Sequence, residues 1–272
     1  MKKIRIACYV VVTLLVYSCV TFADDPITAP DDIVKELSYI IETDGKKVGT
    51  FQVTEMKIKG SDLIREESNM EMLTDGIIFK SVAIEVYKIS DRVIPIMVSY
   101  DSKMSGPGIE NIKKNLHLMD ESAKRDAEKM VISVHNNVEI NTVTRNITSN
   151  IREEFMNGRV ATSNPTLSLP TGFAMETRPD HYPLIKKYGT LTLDIFDPQD
   201  NTFTKSQVKI YGEKLFQDRK VFDVRVKNNK YENVIYFEND SQNNKFGIEV
   251  YGEVVSDGQT FKTTLDRDHS SQ

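Results

Sequence analysis

Residues 63–90 read LIREESNMEMLTDGIIFKSVAIEVYKIS, two strand-length runs on either side of one Asp75-Gly76 pair. Asp-Gly between such runs is the strongest short hairpin signal in this chain, because a two-residue turn of that type needs positive φ at both positions. Leu63–Thr74 and residues 77–90 are therefore expected to be antiparallel neighbours. The pattern continues outward. Leu37, Tyr39 and Ile41 alternate with polar residues, Asp44-Gly45 turns the chain, and Phe51 and Val53 resume the alternation. The phase then slips to Met56 and Ile58, as a β-bulge would do, before Lys59-Gly60-Ser61-Asp62 turns the chain again. Downstream, Ile94, Ile96, Val98 and Tyr100 mark a strand that breaks at Ser105-Gly106-Pro107-Gly108.

The middle of the chain is harder to read. Residues 120–129 (DESAKRDAEK) have helical composition, but only Ala123 and Ala127 form an apolar stripe, so a short helix and a charged, solvated loop both fit. Residues 130–134 and 138–143, split by Asn136-Asn137, read as a further hairpin. Residues 164–172 hold Pro165 and Pro170 and are the candidate joint between two halves. A short helix is expected over 182–188, stopped by Gly189. Strands follow at Leu191, Leu193 and Ile195, and then, after the Asp197–Asn201 turn, at Val208, Ile210, Phe222, Val224, Val226, Val234, Tyr236, Ile248, Val250 and Val254. Consecutive hairpins of this kind predict a mainly β fold: a large antiparallel curled sheet, half-barrel or open barrel-like, with one or two short helices. The expected organisation is a signal peptide over 1–23, a linker over 24–32, one β-rich domain over 33–265, and a polar tail over 266–272 that frays.

The first 23 residues give an address. Lys2, Lys3 and Arg5 precede an uncharged apolar run from Ile6 to Tyr17, too short to span a bilayer and built like a secretory signal. Two endings compete. Thr21-Phe22-Ala23 offers small residues for cleavage before Asp24, which releases the protein to the periplasm or the medium. Val16-Tyr17-Ser18-Cys19 has the form of a lipobox, and acylation of Cys19 would tether the protein to the outer membrane.

Composition excludes several functions. The chain has 35 Lys and Arg against 40 Asp and Glu. Without the three basic residues of the signal, 32 face 40, a formal charge of −8. An acidic chain with no basic block gives no grip on nucleic acid or anionic lipid headgroups. Both cysteines, Cys8 and Cys19, lie in the signal region, so the mature domain has no disulfide, thiolate metal site or cysteine nucleophile. His117, His135, His181 and His269 lack metal-ligand spacing, no Gly-x-Ser-x-Gly elbow occurs, and Gly106-Pro107-Gly108 is too short to cradle phosphate. No cofactor is expected. Glu153-Glu154, and Asp197 with Asp200, are the carboxylate pairs a glycan hydrolase would draw on, but the chain has no Trp to stack sugar rings. The sequons at Asn146 and Asn239 read as chance matches. Gly49, just past a turn, reads as a structural glycine at a bulge or a close backbone approach.

Ser38-Tyr39 followed by the segment DGKKVGTF at 44–51 resembles the opening of a loose group of exported bacterial β-proteins of unknown function, some of which precede transglutaminase-like domains. The runs at 208–213, 221–226 and 234–238 are similar to the strand order of that group. The resemblance implies a curled sheet like that of periplasmic lipoprotein carriers, whose concave face binds acyl chains. A transglutaminase Cys-His-Asp set cannot be carried over, since no mature cysteine exists. The resulting expectation is an exported, non-enzymatic binding or envelope-associated protein that holds a lipid or other apolar ligand, or meets an envelope protein. The alternatives are a carboxylate-based hydrolase of envelope glycans and an interaction module that uses an exposed sheet edge.

Overall fold

The protein is described by a computed structural model that covers residues 32–89, 93–171, 173–174, 189–229, 231–240, 245–256 and 259–271. The expected signal peptide, Cys19, most of the linker and the helix expected over 182–188 lie outside those residues.

Strands β1 (Asp32–Thr43), β2 (Lys46–Lys57), β3 (Leu63–Thr74), β4 (Ile77–Ile89) and β5 (Val93–Ser105) form one antiparallel meander. After two helices, β6 (Val131–Asn141), β7 (Asn146–Phe155) and β8 (Val160–Ser163) extend it, and β9 (Thr166–Ser168) also pairs β7. A second meander contains β10 (Phe173–Ala174), β11 (Thr190–Asp197), β12 (Thr202–Phe216), β13 (Arg219–Lys227), β14 (Glu232–Asp240), β15 (Lys245–Ser256) and β16 (Gln259–Ser271). β16 pairs β1, so the two meanders fuse into one sheet ordered β10 through β16, then β1 through β8. Every pairing is antiparallel except β10 with β11. The proline-bearing stretch at 164–172 connects strands at opposite ends of this order.

The Asp-Gly turns explain the first meander. Asp44, Gly45, Asp75 and Gly76 all have positive φ (50°, 71°, 52° and 75°), as this turn type demands. Gly49 shows both features expected of it. The β1–β2 register skips between Ile41 and Glu42, and a Cβ on Gly49 would lie 2.1 Å from the Glu71 carbonyl oxygen.

Four expectations are corrected. First, β6 runs unbroken through Asn136 and Asn137, and the chain turns at residues 142–145. Both asparagines can stay in the strand because their side chains find partners: Asn136 bonds to the Pro198 carbonyl, and Asn137 bonds to Ser99 and His135. Second, helix is not confined to residues 120–129 and 182–188: β5 ends at Ser105-Gly106-Pro107-Gly108 as expected, but a helix follows there, α1 (Pro107–Asn115), with proline in its first turn where its missing N–H costs nothing. Third, the bulge expected at Met56 lies in β1 and not in β2: β2 pairs β3 continuously from Gly49 to Lys57, while the β1–β2 register skips Val34 opposite Glu55 and Met56. Glu55 takes the inward position, while Ile58 joins Leu63, Ile84, Val86 and Met97 in a separate cluster. Fourth, residues 266–271 continue β16. The Ser38 amide donates to Ser270 Oγ at 2.9 Å, so a polar side chain carries the pairing past the irregularity there.

The charged segment at 120–129 is helical: α2 (Glu121–Glu128) starts with the Ala123 amide donating to Asp120 Oδ1 at 2.8 Å. α1 lies against β4 and β5, where the Gly108 amide donates to the Gly76 carbonyl at 2.8 Å. Its Ile109 enters the main core beside Phe79 and Met104, and Ile112 and Leu116 follow on the same stripe.

The sheet curls until its two ends meet. Phe196 of β11 packs with Val98, Val138 and Ile147 of β5–β7, strands from opposite ends of the order. Three side chains fasten the β11–β12 turn there. Tyr100 Oη donates to Gln199 Oε1 (3.3 Å), Asn136 Nδ2 to the Pro198 carbonyl (2.5 Å), and Ser149 Oγ to Asn201 Oδ1 (2.5 Å). The face carrying Val98, Tyr100, Asn136 and Ser149 is therefore the inner face of the curl.

Candidate functional site

Register places the inner face in rows across β1–β6. Ile41, Gly49, Met72, Phe79 and Met104 form the first row, on the α1 side. Tyr39, Phe51, Met70, Ser81, Ser102 and Val134 form the second, with the Tyr39 and Phe51 ring centroids 5.5 Å apart. Leu37, Val53, Ser68, Ala83, Tyr100 and Asn136 follow in the third. The fourth holds Lys35, Glu55, Glu66, Glu85, Val98 and Val138. The surface thus changes from apolar to hydroxyl-bearing to acidic over the length of a strand. Glu66 and Glu85 are buried and directly opposed across β3 and β4. Nothing in the local sequence marks them, since strand alternation alone turns them inward.

Glu249 of β15 adds to the acidic end. Burial of its carboxyl raises its pKa to about 8, and the positive charge of Lys35 opposes that rise. A bulge near Glu249 interrupts the β14–β15 ladder, and Tyr39 Oη donates to the Glu249 carbonyl at 3.2 Å. Burial also raises the Tyr39 pKa well above its usual range, reinforced by the negative charges of Glu249 and Glu66. No grouping of three or more His, Cys, Asp or Glu side chains among the described residues has metal-binding geometry.

The residues singled out by sequence fall elsewhere. His117 is exposed just beyond α1, and His269 Nδ1 lies 3.1 Å from Asp266 Oδ2 on β16. His181 lies outside the described residues. His135 gains a partner that spacing hid: β5–β6 pairing sets its Nδ1 2.7 Å from Asp101 Oδ1, while Asn137 Nδ2 approaches its Nε2 at 3.0 Å. Ser99, bonded to Asn137, is fully buried, so this chain of four side chains on the outer face presents no accessible nucleophile at its serine end. Glu153 and Glu154 are strand neighbours and point to opposite faces. Asp197 Oδ1 accepts from the amides of Gln199 (3.0 Å) and Asp200 (3.3 Å) and so shapes the β11–β12 turn. Another outer-face group is held together internally. Tyr236 stacks on Tyr251 with centroids 4.8 Å apart, Lys214 Nζ sits 3.5 Å from the Tyr236 centroid, and Asp223 pairs with both Lys214 and Arg225.

No family model and no curated protein matches this chain. Among solved structures it is similar to a beta-barrel-like protein of a domain of unknown function, DUF1849, from Brucella abortus. The identity is 9%, the TM-score 0.51, and the match covers 87% of this chain and 98% of that one. The likeness is one of fold, an antiparallel β-barrel-like sheet, and carries no site with it.

Proposed function

We propose that this is an exported, non-enzymatic binding protein of the cell envelope that holds an apolar ligand against the inner face of its curled sheet. The graded inner face is the observation that carries the reading. A fully apolar interior serves stability alone, whereas Glu66, Ser68, Ser81, Glu85, Ser102 and Asn136 place buried polar groups beside Phe51, Met70, Met72 and Met104. A few polar side chains set into an otherwise apolar concave surface are what orient a ligand in a binding site. An acyl chain gains about 0.8 kcal/mol per buried methylene, so a twelve-carbon chain binds measurably after ordering costs. The charged and apolar sections of residues 1–23 support export.

Native mass spectrometry of protein purified from cells tests this. The expected result is co-purifying lipid, or saturable uptake of a dodecyl-chain fluorophore by delipidated protein with a rise in Tm. No saturable uptake would overturn the reading. The same spectra give the processing: a free terminus at Asp24 is expected, and a diacylglycerol on Cys19 would establish the anchored form instead.

A further inference from the structure

On the outer face, His135 has a partner at each ring nitrogen. Nδ1 lies 2.7 Å from Asp101 Oδ1, and Nε2 lies 3.0 Å from the Asn137 side-chain amide. An ionised carboxylate can only accept, so Nδ1 carries a hydrogen whether the ring is neutral or charged. Nε2 then decides the rest. In the neutral ring it is a bare lone pair and accepts from Asn137 Nδ2, while Asn137 Oδ1 accepts from the Ser99 hydroxyl. In the charged ring Nε2 is itself a donor. Asn137 must then turn its amide over, so that Oδ1 accepts from Nε2 and Nδ2 donates to Ser99 Oγ. No heavy atom has to move far, because the amide nitrogen and oxygen are almost interchangeable in shape. Ser99 tells the two arrangements apart. It is fully buried, and Asn137 is the one hydrogen-bond partner of its hydroxyl among the described residues. The hydroxyl hydrogen has an acceptor in the neutral arrangement and none in the charged one, and a buried donor without an acceptor is costly. The register sets Asp101 and Lys103 beside the ring from β5, and Arg152 and Glu154 from β7. Two charges of each sign face it, and Asp101, in direct contact, is the one that favours the imidazolium.

We infer that Asp101, His135, Asn137 and Ser99 form a proton-operated switch on the outer face, in which proton uptake by His135 turns over the Asn137 amide and reverses its hydrogen bond with buried Ser99. Asp101 favours uptake, and Ser99 opposes it through Asn137 as a positioning residue. The switch lies on the opposite face from the proposed ligand and stands independently of that reading.

Nitrogen-15 spectra of the histidine rings and asparagine side chains, recorded across an acid titration of the full mature chain, test this. Neutral His135 is expected to carry its hydrogen on Nδ1, and the Asn137 amide signals should move in step with protonation of the ring. Ser99→Ala deletes the hydroxyl that opposes the charged arrangement. His135 should then bind its proton about three- to tenfold more tightly, with His117 and His269 unmoved. A neutral ring with its hydrogen on Nε2 would overturn the switch. So would a folded Ser99→Ala protein in which His135 binds its proton no more tightly than in the wild type. If that variant does not fold, the wild-type spectra still decide, since Asn137 signals that ignore the His135 titration would overturn the inference.

Discussion

At Gly49 a single methyl group is too much. Its Cβ would fall 2.1 Å from the Glu71 carbonyl oxygen and 2.9 Å from Met72 Cα, both backbone atoms that cannot swing aside. Gly49→Ala must therefore push β2 from β3 or distort the bulge. It is expected to cost about 1–3 kcal/mol, read as a lower urea midpoint. Glu249 makes a different prediction. Its folded pKa of about 8 lies above its ordinary 4.5, so the folded protein holds the proton more tightly than the unfolded chain does. The associated stability is fully present below about pH 4.5, falls as pH rises toward 8, and is gone above that. Tm measured from pH 5 to 9 should decline through this window, and Glu249→Gln should flatten the decline. Glu249 was not legible from sequence, because the bulge beside it shows only in the β14–β15 register and Lys35 comes from another strand.

Among the elements, α1 shows why short helices on β-proteins escape sequence reading. Residues 107–115 hold a proline, a glycine and two asparagines, and their apolar stripe is only Ile109 and Ile112, with Leu116 just beyond. Packing makes the helix. Ile109 is 1% exposed in the core, and Gly108 has no room for a side chain, since its Cβ would meet Ile77 Cγ1 at 2.6 Å. Ile109→Ala should cost about 2–4 kcal/mol and speed amide hydrogen exchange over Pro107–Asn115 more than in β3 or β4. The Asp-Gly hairpins were readable because their turn chemistry is local. Asn136-Asn137 read as a turn for the same reason, yet tertiary partners hold both residues in β6. The fourth row of the inner face was out of reach: three of forty acidic residues become neighbours only once register is known.

For the whole molecule, alternation and turns were enough to predict a curled antiparallel sheet. They could not show that β16 would close against β1, or that the β11–β12 turn would lodge on the inner face, because both depend on contacts between residues far apart in sequence. Far-ultraviolet circular dichroism should accordingly be dominated by strand. The central claim, that the inner face takes a ligand, is open to one direct measurement. Met70, Met72 and Met104 lie on the inner face, and Met56 and Met97 on the outer. Methyl-labelled methionine spectra recorded during titration with 1-monolauroylglycerol report each face separately. Saturable shifts at Met70, Met72 and Met104 with Met56 and Met97 unmoved are the predicted result. An unchanged spectrum, or shifts confined to Met56 and Met97, would contradict it.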